Sequence, residues 1–125
     1  MNKFTILIID DDIEFSEWLK IGLSLEGYNV LTATTAKDGL DLLNTNRVDL
    51  IILDLILPDI TLEEFGLLKR LKQQYNEIPV IVVSGIYKKD ENIQKAYELG
   101  ADGYLIKPFS YDLLSVKIKK LLYKV

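Results

Sequence analysis

Residues 6–12 read ILIIDDD, an unbroken run of aliphatic side chains that stops abruptly at three aspartates. An apolar run without polar alternation fits a strand buried on both faces of a parallel sheet, where helices cover it above and below. The run spans Phe4 to Ile9, and two further stretches share its texture, Val48 to Leu53 and Val80 to Val83. Tyr28 to Ala33 alternates more and is expected at a sheet edge, while Gly103 to Ile106 is a short last strand before Lys107 and Pro108. Helical spacing fills the intervals. Phe15, Leu19 and Gly22 form one core stripe, Leu40 and Leu43 a second, and Phe65, Leu68 and Leu71 a third, with further helices at 91–99 and 111–123. Strands and helices alternating with short connections predict an α/β fold, a doubly wound parallel sheet with helices on both faces and right-handed crossovers. Ligands of such sheets bind beyond the carboxyl ends of the strands.

Composition removes several classes of function. The 125 residues show no internal repeat, low-complexity tract or linker, so one domain is expected over 1–125, with no length left for a separate effector. With 49% hydrophobic and 27% charged residues the chain belongs among ordered globular proteins. Fifteen basic against nineteen acidic residues give a net charge of -4, which repels phosphate backbones and argues against direct nucleic-acid binding. The absence of cysteine and histidine removes disulfides, thiol nucleophiles, the usual metal ligands and the usual general base. No apolar run approaches the roughly 20 residues that span a bilayer, and no cleavable signal follows Met1, so a cytoplasmic protein is expected.

The chemistry must then rest on carboxylates, hydroxyls and lysine, and these sit just past the central strands. The first strand leads to Asp10, Asp11 and Asp12, the third to Asp54, the fourth to Ser84 and Gly85, and the last to Lys107. Carboxylates gathered at one sheet edge repel unless a cation joins them, and an all-oxygen set suits Mg²⁺. One carboxylate so placed can attack phosphorus, with the Lys107 ammonium neutralising the incoming oxygens. Each residue alone has a plainer reading. Asp12 opens the first helix and reads as its cap rather than as a metal ligand. Ser84-Gly85 reads as a loop and Lys107-Pro108 as a turn. Asp10 and Asp11, however, exceed what capping needs, and Asp54 is a costly charge inside the apolar run Ile51 to Leu57. Beside this edge, Ile13 and Ile21 fall off the core stripe of the first helix and would face solvent as a docking surface.

Four stretches in order, ILIIDDD at 6–12, DLIILDLILPD at 49–59, IPVIVVSG at 78–85 and GADGYLIKPF at 100–109, together span nearly the whole chain. This set resembles the receiver domains of two-component response regulators. The resemblance implies a flavodoxin-like sheet of order 2-1-3-4-5, a signalling switch rather than an enzyme with an external substrate. It implies that Asp54 accepts a phosphoryl group from the phosphohistidine of a sensor histidine kinase or a histidine phosphotransfer protein. Asp10, Asp11 and Asp54 would hold Mg²⁺ together with the backbone carbonyl of Ile56, Ser84 would bond the phosphoryl group, and Lys107 would pair with it. The Lys107-Pro108 bond would be cis. Ser84 and Tyr104 would form the switch that alters the surface of helix 4, strand 5 and helix 5, a face on which dimers could form, and the first helix would meet the partner's histidine-bearing helix. Ile56 and Ile86 would flank the path of the hydrolytic water, so slow loss of the phosphoryl group is expected. Taken alone, Tyr104 reads equally well as a packed strand tyrosine. The sequence departs from the family pattern at 60–65, where ITLEEF replaces the usual Asp-Gly with a longer connection, and between Ser84 and Gly100.

Three other functions compete. A haloacid-dehalogenase-type phosphatase needs Asp-x-Asp at its nucleophile, but Leu55 and Ile56 follow Asp54. A flavin or dinucleotide site needs phosphate-cradling amides after the first strand, where three aspartates would expel the phosphate. A pure interaction module would have no use for the intact set Asp10, Asp11, Asp54, Ser84 and Lys107.

Overall fold

The aliphatic run at the start of the chain is paired on both sides, which places it at the centre of the sheet. In the computed structural model, which describes residues 3–59, 65–85 and 89–124, β1 (Thr5–Ile9) lies between β2 (Asn29–Ala33) and β3 (Leu50–Asp54). β4 (Val80–Ser84) and β5 (Gly103–Ile106) complete a parallel sheet of order β2-β1-β3-β4-β5. The helices are α1 (Ile13–Leu25), α2 (Ala36–Thr45), α3 (Gly66–Gln74), α4 (Asp90–Glu98) and α5 (Tyr111–Tyr123). The doubly wound sheet is as expected, and its order is the one that the resemblance implied. Two boundaries shift in a way that matters: β3 extends to Asp54 and β4 to Ser84, so both chemical residues end their strands.

Side-chain alternation divides the interior into two layers. Leu7, Ile9, Ile51, Leu53, Val80, Val82 and Tyr104 point to the side covered by α2, α3 and α4, where Leu43, Leu68, Leu71 and Ala96 meet them. Ile6, Ile8, Leu50, Ile52, Ile81, Val83 and Leu105 point to the other side, against Leu19 and Leu23 of α1 and Leu114 and Ile118 of α5. Each such aliphatic side chain, fully buried, contributes about 1.5–3 kcal/mol, which fixes the register, since a slip by one residue would exchange the layers.

The core stripe of α1 differs from the expectation. Its buried residues are Ser16, Leu19 and Leu23, with Phe15 half-buried. Gly22 faces α5 instead of the sheet: a Cβ there would lie 2.6 Å from Cε1 of Tyr111. The helix is turned so that it packs on the sheet and on α5 at once.

Local chemistry sets the helix ends. Asp12, Thr35 and Ser110 accept from Phe15, Asp38 and Leu113 amides at the starts of α1, α2 and α5. Gly27 follows α1 with φ +97°, where its amide bonds to Ser24 and that of Tyr28 to Leu23, a turn that turns the chain into β2. The departures noted at 60–64 and 86–88 lie outside the described residues.

Candidate functional site

Strand parity decides which side chains meet. Asp10 continues the Ile6 and Ile8 series, Asp54 the Leu50 and Ile52 series, and Lys107 the Gly103 and Leu105 series, so all three end on the α1/α5 side of the carboxyl edge. Lys107 Nζ donates to Asp10 Oδ2 at 2.7 Å and lies 3.4 Å from Asp54 Oδ2. Asp10 is fully buried and its Oδ1 accepts from the Asp12 amide at 2.9 Å. Asp54 Oδ1 accepts from the Ile56 amide at 3.0 Å, which turns the chain away from the strand.

Asp11 is exposed beside them, and carboxylate oxygens of Asp10, Asp11 and Asp54 lie within 4.8 Å of one another. Above lies an open cleft of about 250 Å³ lined by Asp11, Asp12, Asp54, Ile56, Ser84, Gly85 and Lys107. Burial pushes the Asp10 carboxyl up to about 6, and the Asp54 charge adds to this, against the pull of Lys107 and the Asp12 amide. Burial alone would lower Lys107, but Asp10 and Asp54 outweigh it and hold the ammonium charged. A raised carboxyl contributes stability below its ordinary value of 3.8 that is lost as the pH rises through about 6. A buried acid held at this cost beside two further carboxylates fits a small hard cation, and Mg²⁺ takes such an oxygen-only set.

Ser84 and Tyr104 continue the opposite series, towards α4. Both are buried, and burial raises the Tyr104 hydroxyl above its usual range against the opposing pull of the nearby Ser84 hydroxyl. The Lys107-Pro108 bond is cis. Asp12 serves as the cap of α1, its Oδ1 accepting from the Phe15 amide at 3.1 Å, although it also borders the cleft. Ile56 is half-buried on the cleft wall, whereas Ile86 lies outside the described residues. Ile13 and Ile21 are 64% and 62% exposed on α1, as their position off the core stripe requires.

Two features were not legible in the sequence. The Lys107 ammonium sits 4.2 Å above the centre of the Phe15 ring, which in turn packs near Trp18 and Phe109. Phe15 reads as a core residue because the helical pattern carries no signal of a cation arriving from the far end of the chain. Asp59 reaches the start of α2 and bonds two of its amides, again across a distance in sequence that no local pattern spans.

Fold and site together define a flavodoxin-like α/β domain with an acid cluster and a lysine at the carboxyl edge of its sheet. The sequence model of the response regulator receiver domain matches residues 6–119. The chain is 36% identical over 124 residues to the alkaline phosphatase synthesis transcriptional regulatory protein of Bacillus subtilis, covering 98% of this chain and 49% of that one. It is 34% identical over 122 residues to a probable transcriptional regulator of Cyanophora paradoxa, covering 98% and 49%. Among solved structures, a CheY-like receiver domain protein from Methanospirillum hungatei superposes with a TM-score of 0.90 at 34% identity, covering 98% of this chain and 96% of that one. The chain belongs to the response regulator receiver domain family, the signalling domain of two-component systems. It spans about half the length of the curated relatives it matches. Among the described residues no helix is long and apolar enough to cross a membrane.

Proposed function

We propose that the chain is a phosphoacceptor switch in which Asp54 takes a phosphoryl group from a phosphohistidine on a sensor histidine kinase or a histidine phosphotransfer protein. The observation that carries this reading is the placement of Asp54 at the cleft, 3.4 Å from the Lys107 ammonium and within reach of Asp10 and Asp11. A carboxylate oxygen of Asp54 attacks phosphorus as the donor's P–N bond breaks, and the electron pair of that bond returns to the imidazole nitrogen. Asp10, Asp11, Asp54 and the carbonyl of Ile56 would hold Mg²⁺, which when bound neutralises charge on the phosphoryl oxygens. Lys107 pairs with the same oxygens, and Ser84 bonds one of them.

The burial of Ser84 and Tyr104 on neighbouring strands, on the same side of the sheet, supports their role as the switch. When Ser84 turns to the phosphoryl group, Tyr104 moves in behind it, and the change is carried to α4, β5 and α5, where Tyr97, Ile106, Leu113 and Val116 are exposed and a second copy could dock. Ile13 and Ile21, exposed beside the cleft, would meet the partner's histidine-bearing helix. Regulation of a further domain or partner remains a proposal drawn from relatives twice the length of this chain.

Incubation with acetyl phosphate and Mg²⁺, followed by intact mass measurement, should show a gain of one phosphoryl group that Asp54→Asn abolishes. Equal labelling of the variant would exclude Asp54 as the acceptor.

A further inference from the structure

The chain that leaves the strand bearing Asp54 is held at Asp54 and again at Asp59. At its start the Ile56 amide donates to Asp54 Oδ1 at 3.0 Å, and Leu55 and Leu57 are buried on either side of Ile56. Five residues past Asp54 the two oxygens of Asp59 divide between two amides of another element: Oδ1 accepts from Ala36 at 2.8 Å and Oδ2 from Lys37 at 2.9 Å. These are the first residues of α2, whose amides have no partner within the helix. The helix already has a cap of its own, since Thr35 Oγ1 accepts from the Asp38 amide at 3.1 Å. Asp59 bonds two amides that Thr35 leaves open, so it joins the loop to a helix start that already has a cap of its own. Burial pushes the Asp59 carboxyl up, yet the amide bonds outweigh it and hold it below its ordinary range, so the bonds are formed with the ionised group.

We propose that Asp59 is a positioning residue for the metal site: by tying the chain after Ile56 to the N-terminus of α2, it holds Ile56 where its carbonyl completes the set formed by Asp10, Asp11 and Asp54. This rests on the reading of those residues given above. Asp59 touches neither the cation nor the phosphoryl group; it raises the fraction of molecules whose loop is ready to bind. Where only a fraction of the protein is competent, apparent affinity falls by that fraction.

The test is a titration with magnesium chloride followed by the fluorescence of Trp18, the single tryptophan, which lies 6.0 Å from the Phe15 ring beneath Lys107. Asp59→Ala should weaken apparent affinity about threefold to tenfold, the range expected when a capping interaction is lost, with Asp59→Asn between it and wild type. In amide hydrogen exchange, Ala36 and Lys37 should exchange faster in Asp59→Ala. Thr35→Ala, which removes the helix's own cap and leaves the tie, should keep wild-type affinity. Equal affinity in wild type and Asp59→Ala overturns the proposal alone, as does an equal loss in Thr35→Ala, which would place the effect in helix stability. Wild type without any magnesium response overturns the metal site itself and this proposal with it.

Discussion

At Lys107 three interactions of different kinds converge on one ammonium: the Asp10 carboxylate at 2.7 Å, the Asp54 carboxylate at 3.4 Å and the Phe15 ring at 4.2 Å. The carboxylates set the charge, while the ring restricts where a long, flexible stem can place it. Phe15→Leu keeps the apolar contact and removes the ring face. A cation–π contact of about 0.5–1 kcal/mol corresponds to a two- to fivefold effect, so labelling by acetyl phosphate should slow by about that factor. Time-resolved intact mass measures it, and an unchanged rate would show that the two carboxylates alone hold the ammonium.

At the scale of an element, α1 carries an internal conflict. Ser16 occupies the first position of its buried stripe, ahead of Leu19 and Leu23, and its Oγ has no hydrogen-bond partner among the described residues. A buried hydroxyl without a partner is costly, and serine is a weaker helix former than alanine. Ser16→Ala should therefore stabilise the protein by about 1 kcal/mol, seen as a higher urea midpoint with an unchanged slope. The position also explains why the stripe was placed slightly off its axis in the sequence reading. A hydrophobic pattern points towards Phe15 and Gly22, whereas the stripe begins at Ser16, a polar residue that hydropathy assigns to solvent, and ends at Leu23.

For the whole molecule, one carboxylate links the two helices of the same face. Glu26, at the end of α1, accepts from Tyr111 at 2.6 Å and from Ser115 at 2.8 Å and pairs with Lys119 at 2.9 Å, all on α5. Burial pushes this carboxyl up, but the bonds from Tyr111, Lys119 and Ser115 outweigh it and lower it below its ordinary value of 4.5. A lowered carboxyl gives stability that is present above its unfolded value and lost as the pH falls through the folded one. Glu26→Gln should thus cost about 1 kcal/mol near neutral pH, after allowance for partial exposure, and the difference from wild type should shrink below pH 4.5. Denaturant midpoints across the acid range measure this. A difference that stays constant with pH would assign the effect to packing.

The sequence by itself determined the strands, the helices covering both faces of the sheet and the residues gathered at the carboxyl edge, because aliphatic runs and the acids that end them are local patterns with a fixed period, while the strand order followed from the resemblance to receiver domains. ILIIDDD contains a central strand, its burial and the start of an acid cluster within a few residues. The cap at Asp12 and the exposure of Ile13 and Ile21 were legible for the same reason, since helical spacing assigns each side chain a direction. Only the tertiary structure decided that Asp10, Asp54 and Lys107 share one face of the sheet while Ser84 and Tyr104 share the other. That division depends on where each strand begins relative to its neighbours, and register is a property of pairing. The ring of Phe15 under Lys107, the reach of Asp59 to α2 and that of Glu26 to α5 belong to the same class. Each joins residues far apart in the chain through one side chain, and no period in the sequence records the contact.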